Sequence, residues 1–140
     1  MKISFIDTNI WIYAHVKSED PYRHNAIIAF IEKEIKENQI ISSVQVINEF
    51  HWVLERKYKF DPDVIDKKVK SIVKISKIVP VSLQTYHAAI TIRKKHHLSY
   101  WDSLLIASAL ENDAAVFYSE DMSHGMIINK QVKIVNPFEG

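Results

Sequence analysis

Hydrophobic positions along this chain follow two alternating rhythms, and the alternation predicts an architecture. Lys2 to Ile6 reads as a short buried strand, which Asp7-Thr8-Asn9 ends. Asp20-Pro21 reads as a helix start, with Asp20 as cap and Pro21 in the first turn. Ala26, Ile27, Phe30, Ile31 and Ile35 give that helix its apolar stripe. Gln39 to Ser43 predicts a second strand. Ser42 and Gln45 have capping-box spacing, and Val46, Phe50, Val53 and Leu54 follow at helical period.

Asp61-Pro62 opens a further helix, with Ile65, Val69, Ile72 and Val73 on its core face. Ile78 to Ser82 predicts a third strand, and Pro80, which cannot donate to a ladder, puts it at a sheet edge. Helices are expected over about Gln84 to His96 and Ser99 to Asn112, with strands at Ala114 to Tyr118 and Val132 to Val135. Strands alternating with helices predict an α/β fold around a largely parallel sheet of about five strands. No linker, repeat or low-complexity stretch interrupts the pattern, so residues 1–140 are expected to form one domain.

Composition removes several classes of function. There is no cysteine, so disulfides, thiolate metal sites and cysteine catalysis are impossible. Gly125 and Gly140 are the only glycines, too few for a phosphate-cradling loop or a dinucleotide fingerprint. The seven histidines never form H-E-x-x-H, which excludes a zincin. The net charge of +1 offers no bulk attraction for a polyanion, so any nucleic-acid binding needs a local patch or a metal. No apolar run approaches the roughly 20 residues that span a bilayer, and no signal-peptide pattern opens the chain. A cytoplasmic protein without a membrane partner is expected.

Candidate chemistry lies in the acids. In an open parallel sheet, ligands bind beyond the carboxyl ends of the strands. Asp7 follows the first strand and Asp121 the fourth, in Ser119-Glu120-Asp121. Glu49 falls about two turns into the helix after the second strand, and Asp102 in the first turn of the helix before the fourth. Four acids from four segments could therefore meet at one end of the sheet. Their oxygens suit hard cations such as Mg²⁺ or Mn²⁺. Without a cation, clustered carboxylates repel, so one or more should titrate high.

Each residue also has an ordinary reading. Asp7 could cap a turn through Thr8 and Asn9, and Glu49 could face solvent. Asp102 completes a capping box with Ser99, at the positive end of a helix. Asp121 could be a loop acid, and Glu120 is an alternative ligand beside it. The basic run Arg93 to His97 suits a solvated helix end. Tyr100 and Trp101 read as core or interface aromatics, and His124 as a loop histidine.

Together these segments resemble the PIN-domain family, particularly the VapC toxins of VapBC toxin–antitoxin systems. Phe5-Ile6-Asp7-Thr8-Asn9-Ile10 resembles the family's first-strand motif, Asn48-Glu49-Phe50 its helical glutamate, and Tyr100-Trp101-Asp102-Ser103-Leu104-Leu105-Ile106-Ala107 its third acidic motif. Ser119-Glu120-Asp121-Met122 with Gly125, then Val135-Asn136-Pro137-Phe138, resembles the C-terminal signature. The matches run in order from Ile3 to Phe138.

The resemblance implies a three-layer α/β/α sandwich and Mg²⁺- or Mn²⁺-dependent endoribonuclease activity on RNA. It also implies a homodimer and a cognate antitoxin as partner. Carried over by motif, Asp7, Glu49, Asp102 and Asp121 would be the catalytic, metal-binding set, with Thr8, Asn9, Ser119 and Glu120 as supporting polar residues. The competing expectation is a catalytically inactive PIN-like module that binds RNA or dimerises. A dehalogenase-type phosphatase would need Asp where Asn9 stands, and a receiver domain would need clustered acids ahead of its phosphorylated Asp.

Overall fold

The structure is a computed structural model and describes residues 1–139. The chain order is β1 (Ile3–Ile6), α1 (Thr8–His15), α2 (Pro21–Glu37), β2 (Gln39–Ser43), α3 (Val44–Arg56) and α4 (Pro62–Ile75). Then come β3 (Lys77–Val79), α5 (Leu83–His96), α6 (Tyr100–Glu111), β4 (Val116–Tyr118), β5 (Ile127–Ile128) and β6 (Val132–Val135). The sheet order is β3-β2-β1-β4-β6-β5, parallel throughout except for the β5–β6 pair.

This order divides the helices between two layers. From β1 the chain steps outward to β2 and β3, carrying α1 to α4 in its crossovers. From β3 it returns across the sheet to β4, carrying α5 and α6. Right-handed crossovers that travel in opposite directions place their helices on opposite faces. Accordingly α1 packs on α2 and α3, α3 packs on α4, and α5 pairs with α6. The architecture is the expected α/β/α sandwich. Its core is apolar on both faces, and Phe5 stacks on Phe117, its register partner across β1 and β4, at 4.9 Å.

Several local expectations change. Residues after Asp7 do not simply end a strand; they form α1, with Asp7 as its N-cap. Its apolar residues surround the helix, so no polar face marks a period. A sixth strand, β5, is only two residues long and pairs antiparallel with β6. The third strand ends at Val79 and does lie at the sheet edge, while Ser82 caps α5 in a reciprocal box with Thr85. Ser43 rather than Ser42 caps α3, because the Ser42 hydroxyl donates to the Ile6 carbonyl on β1 instead. Ala26, Ile35 and Val73 are exposed rather than core-facing.

Candidate active site

The chain reverses its direction of travel across the sheet between β1 and β4, which makes their carboxyl ends the switch point where a ligand crevice opens. A cleft of about 250 Å³ lies there. Asp7, Glu49, Asp102 and Asp121 all line it, with Thr8 and Asn9 between them and Ile12, Val53 and Leu105 on its apolar wall. Four carboxylates from four segments thus share one small space.

Each acid is set by local structure. Asp7 donates its backbone N–H to the Tyr118 carbonyl at 3.0 Å, extending the β1–β4 rungs. Its Oδ1 accepts the Thr8 N–H at 2.7 Å and its Oδ2 accepts the Ser119 hydroxyl at 2.8 Å. Thr8 Oγ1 donates to Glu49 Oε2 at 2.8 Å, joining α1 to α3. Gln45, one turn before Glu49, donates Nε2 to Glu49 Oε1 at 3.2 Å and to the Trp101 carbonyl at 3.4 Å. Asn9 Nδ2 donates to Asp121 Oδ2 at 2.9 Å. Asp102 sits in the first turn of α6, whose cap Ser99 accepts the Asp102 N–H at 3.1 Å. Asp102 therefore joins the cap through its backbone N–H, and its side chain lines the cleft.

Electrostatics follow from the crowding. Asp7 is 6% exposed, and burial pushes its carboxyl up to about 7. The Glu49 and Asp102 charges push the same way, against the bonds from Ser119 and Thr8. Burial also raises Asp102, with the charges of Asp121 and Glu49 adding to it. A cation would relieve this repulsion.

Among the described residues, no three Asp, Glu or His side chains converge to grip one ion directly. The carboxylates that line the cleft still fit Mg²⁺, which keeps several waters and takes one or two carboxylates. Asp7, Glu49, Asp102 and Asp121 are the side chains that could hold it or its waters.

Glu120 points elsewhere. Its Oε1 accepts the Tyr13 hydroxyl at 2.7 Å and its Oε2 accepts Arg23 Nε at 2.8 Å, so Asp121 is the member of the pair that lines the cleft. The contacts of Gln45, Tyr13 and Arg23 escaped the sequence reading. Gln45 carries a usable signal, since i,i+4 residues meet on a helix; Tyr13 and Arg23 carry none. His124 accepts the Asn136 N–H and stays out of the cleft, as do Arg93 to His97. Trp101 is 61% exposed rather than core, and with Trp52 it rims an adjoining apolar groove that shares Glu49 with the cleft.

The profile of the PIN domain matches residues 4–124, spanning the first three of these acids and Asp121. The chain belongs to the PIN domain family. Among solved structures, this PIN chain is similar to VapBC2 from Rickettsia felis bound to a promoter DNA fragment. That match has a TM-score of 0.72 at 18% identity over 96% of this chain and 99% of that one. It is similar to a toxin–antitoxin complex from Klebsiella pneumoniae, with a TM-score of 0.66 at 18% identity over 97% and 98% of the two chains. It is also similar to Mycobacterium tuberculosis VapC20, a toxin that cleaves the sarcin–ricin loop, at 0.63 and 14% over 84% and 91%. No curated protein sequence matches the chain.

Proposed function

We propose that this PIN domain is a divalent-metal-dependent endoribonuclease and the toxin of a type II toxin–antitoxin pair. The observation that carries the reading is the meeting of Asp7, Glu49, Asp102 and Asp121 in one cleft at the sheet's switch point. A phosphodiester brings negative charge, and only a cation lets it approach four acids. Bound Mg²⁺ or Mn²⁺ would supply that charge and lower the pKa of a bound water.

The chain's own residues do the positioning. Ser119 and the Thr8 N–H fix the Asp7 carboxylate at the edge of the cleft. Thr8 and Gln45 orient Glu49, and Asn9 orients Asp121. Ile12, Val53 and Leu105 restrict water on one wall. No serine, cysteine or histidine nucleophile lines the cleft, which suits direct hydrolysis by water.

The toxin–antitoxin part rests on the PIN family and on the neighbours named above. On this reading the protein acts as one domain, forms a homodimer, is inhibited by an antitoxin and works in the cytoplasm. No helix among the described residues is long and apolar enough to cross a membrane.

The test is cleavage of total cellular RNA by antitoxin-free protein, with Mg²⁺ or Mn²⁺, with EDTA, and with Asp102→Asn alongside. Discrete fragments that vanish with EDTA and with the variant are expected. Intact RNA under every metal would favour a catalytically inactive RNA-binding or dimerisation module.

A further inference from the structure

Residues 119–121 present their side chains in alternation. Ser119 and Asp121 turn to the cleft, where Ser119 bonds Asp7 and Asp121 accepts from Asn9. Glu120 turns the other way, and its side chain is 21% exposed. Both of its oxygens are taken by helices remote in sequence, Tyr13 of α1 and Arg23 of α2. Its backbone N–H is taken too, by Asn9 Oδ1 at 3.2 Å.

Arg23 is itself held on several sides. Asp20, the cap of α2, accepts both its backbone N–H at 3.1 Å and its guanidinium Nη1 at 3.2 Å. Phe138 lies under the guanidinium at 4.8 Å and meets Tyr13 edge to face at 5.4 Å. The C-terminal segment is tied down in turn, since Asn136 Oδ1 accepts the Phe138 N–H at 2.9 Å. A planar guanidinium bonded to two acids and stacked on a ring has little freedom left.

We infer that Arg23 and Tyr13, braced by Phe138, clamp Glu120 so that the flanking Ser119 and Asp121 are held in register with Asp7. Glu120 and Arg23 are then positioning residues for the cleft rather than catalytic ones. The inference rests on the nuclease reading above. It also explains why two adjacent acids have different work: one holds the loop, the other lines the cleft.

The experiment compares Arg23→Ala, Arg23→Lys and Tyr13→Phe with Tyr58→Phe. Tyr58 donates to Glu19 as Tyr13 does to Glu120, but neither Tyr58 nor Glu19 is next in the chain to a residue that lines the cleft, as Tyr13 and Glu120 are. Mn²⁺ binding without RNA, kcat and KM for cleavage, and the thermal midpoint are measured on each. For Arg23→Ala, weakening of Mn²⁺ binding and a fall in kcat of about tenfold each are expected, with KM within about twofold, as for outer partners of a metal site. Tyr13→Phe, which removes one hydroxyl and keeps the fold, should give a smaller loss in both readouts. Arg23→Lys should recover only part, because it restores charge without the planar fork. Tyr58→Phe should match the wild type.

Variants that bind Mn²⁺ and cleave like the wild type would overturn the clamp alone. So would losses that Tyr58→Phe reproduces, since these would be general destabilisation. A wild type that neither binds Mn²⁺ nor cleaves would overturn the nuclease reading and the clamp with it.

Discussion

The two ends of α1 hold titratable side chains, Asp7 buried and His15 half-buried, in contrasting surroundings. At the N-terminus, Asp7 sits among hydrogen-bond donors and other acids. At the C-terminus, His15 lies edge-on to Phe50 at 5.5 Å, and Lys68 donates to its carbonyl at 3.1 Å. Burial is the main force at both, and it disfavours whichever form is charged. It lifts Asp7 to about 7 and lowers His15 to about 4, the latter helped by the Lys68 and His24 charges. The difference lies in the neighbours. Around Asp7 they gather oxygens that a cation could satisfy. Around His15 they favour only a neutral ring, half-buried against Phe50.

The strongest way to break this comparison is Asp7→Asn. Cleavage should fall at least about 100-fold, because the charge stabilisation given by a metal is worth several kcal/mol; single-turnover cleavage of the mapped RNA reads it. The same variant should gain stability while losing activity. Asp7 is protonated more readily when folded than when unfolded, so its burial costs nothing below about pH 4, costs more as pH rises, and reaches its full cost above about pH 7. Urea unfolding of metal-free protein at pH 8 should therefore show Asp7→Asn more stable, by up to about 4 kcal/mol. The gain should shrink toward pH 4. A gain that does not depend on pH would mean that the carboxylate is not strained.

His15 sharpens the contrast with the opposite sign. Its lowered pKa contributes stability that is present above about pH 6.5 and lost as pH falls toward 4. His15→Phe should flatten that limb by about 1–3 kcal/mol, as read from unfolding midpoints at pH 5 and pH 7. An unchanged slope would show that the ring is better solvated than its packing implies. The smallest effect is expected for Thr8→Val, which removes the hydroxyl donated to Glu49 while keeping shape. Cleavage should fall about tenfold, near the low end for outer partners of a metal site, with Mg²⁺ titration showing weaker binding.

What the sequence made legible was local. Asp20 and Pro21 start α2, and the cap bond from the Arg23 N–H spans only three residues. Alternation of strand and helix implied the layered sheet, because each period must bury one face. What escaped notice lacked a period or depended on distant chain. The segment Thr8–His15 is apolar around most of its surface, so α1 left no stripe to read. The two residues of β5 become a strand only by pairing with β6. Val73 fits a helical stripe, yet no neighbouring element covers it.

The same division holds at the cleft. The sequence by itself determined which acids exist and that Asp7 and Asp121 follow strands, since these depend on residue type and local pattern. It could not choose between Glu120 and Asp121. Tertiary structure decided which of them lines the cleft, through contacts to Glu120 from Tyr13 and Arg23 that lie 107 and 97 residues away along the chain. It also decided that Asp7 is buried enough to titrate near 7. The reason is physical: a side chain's direction and its desolvation depend on what packs against it, and only the folded chain brings α1, α2 and the loop after β4 together.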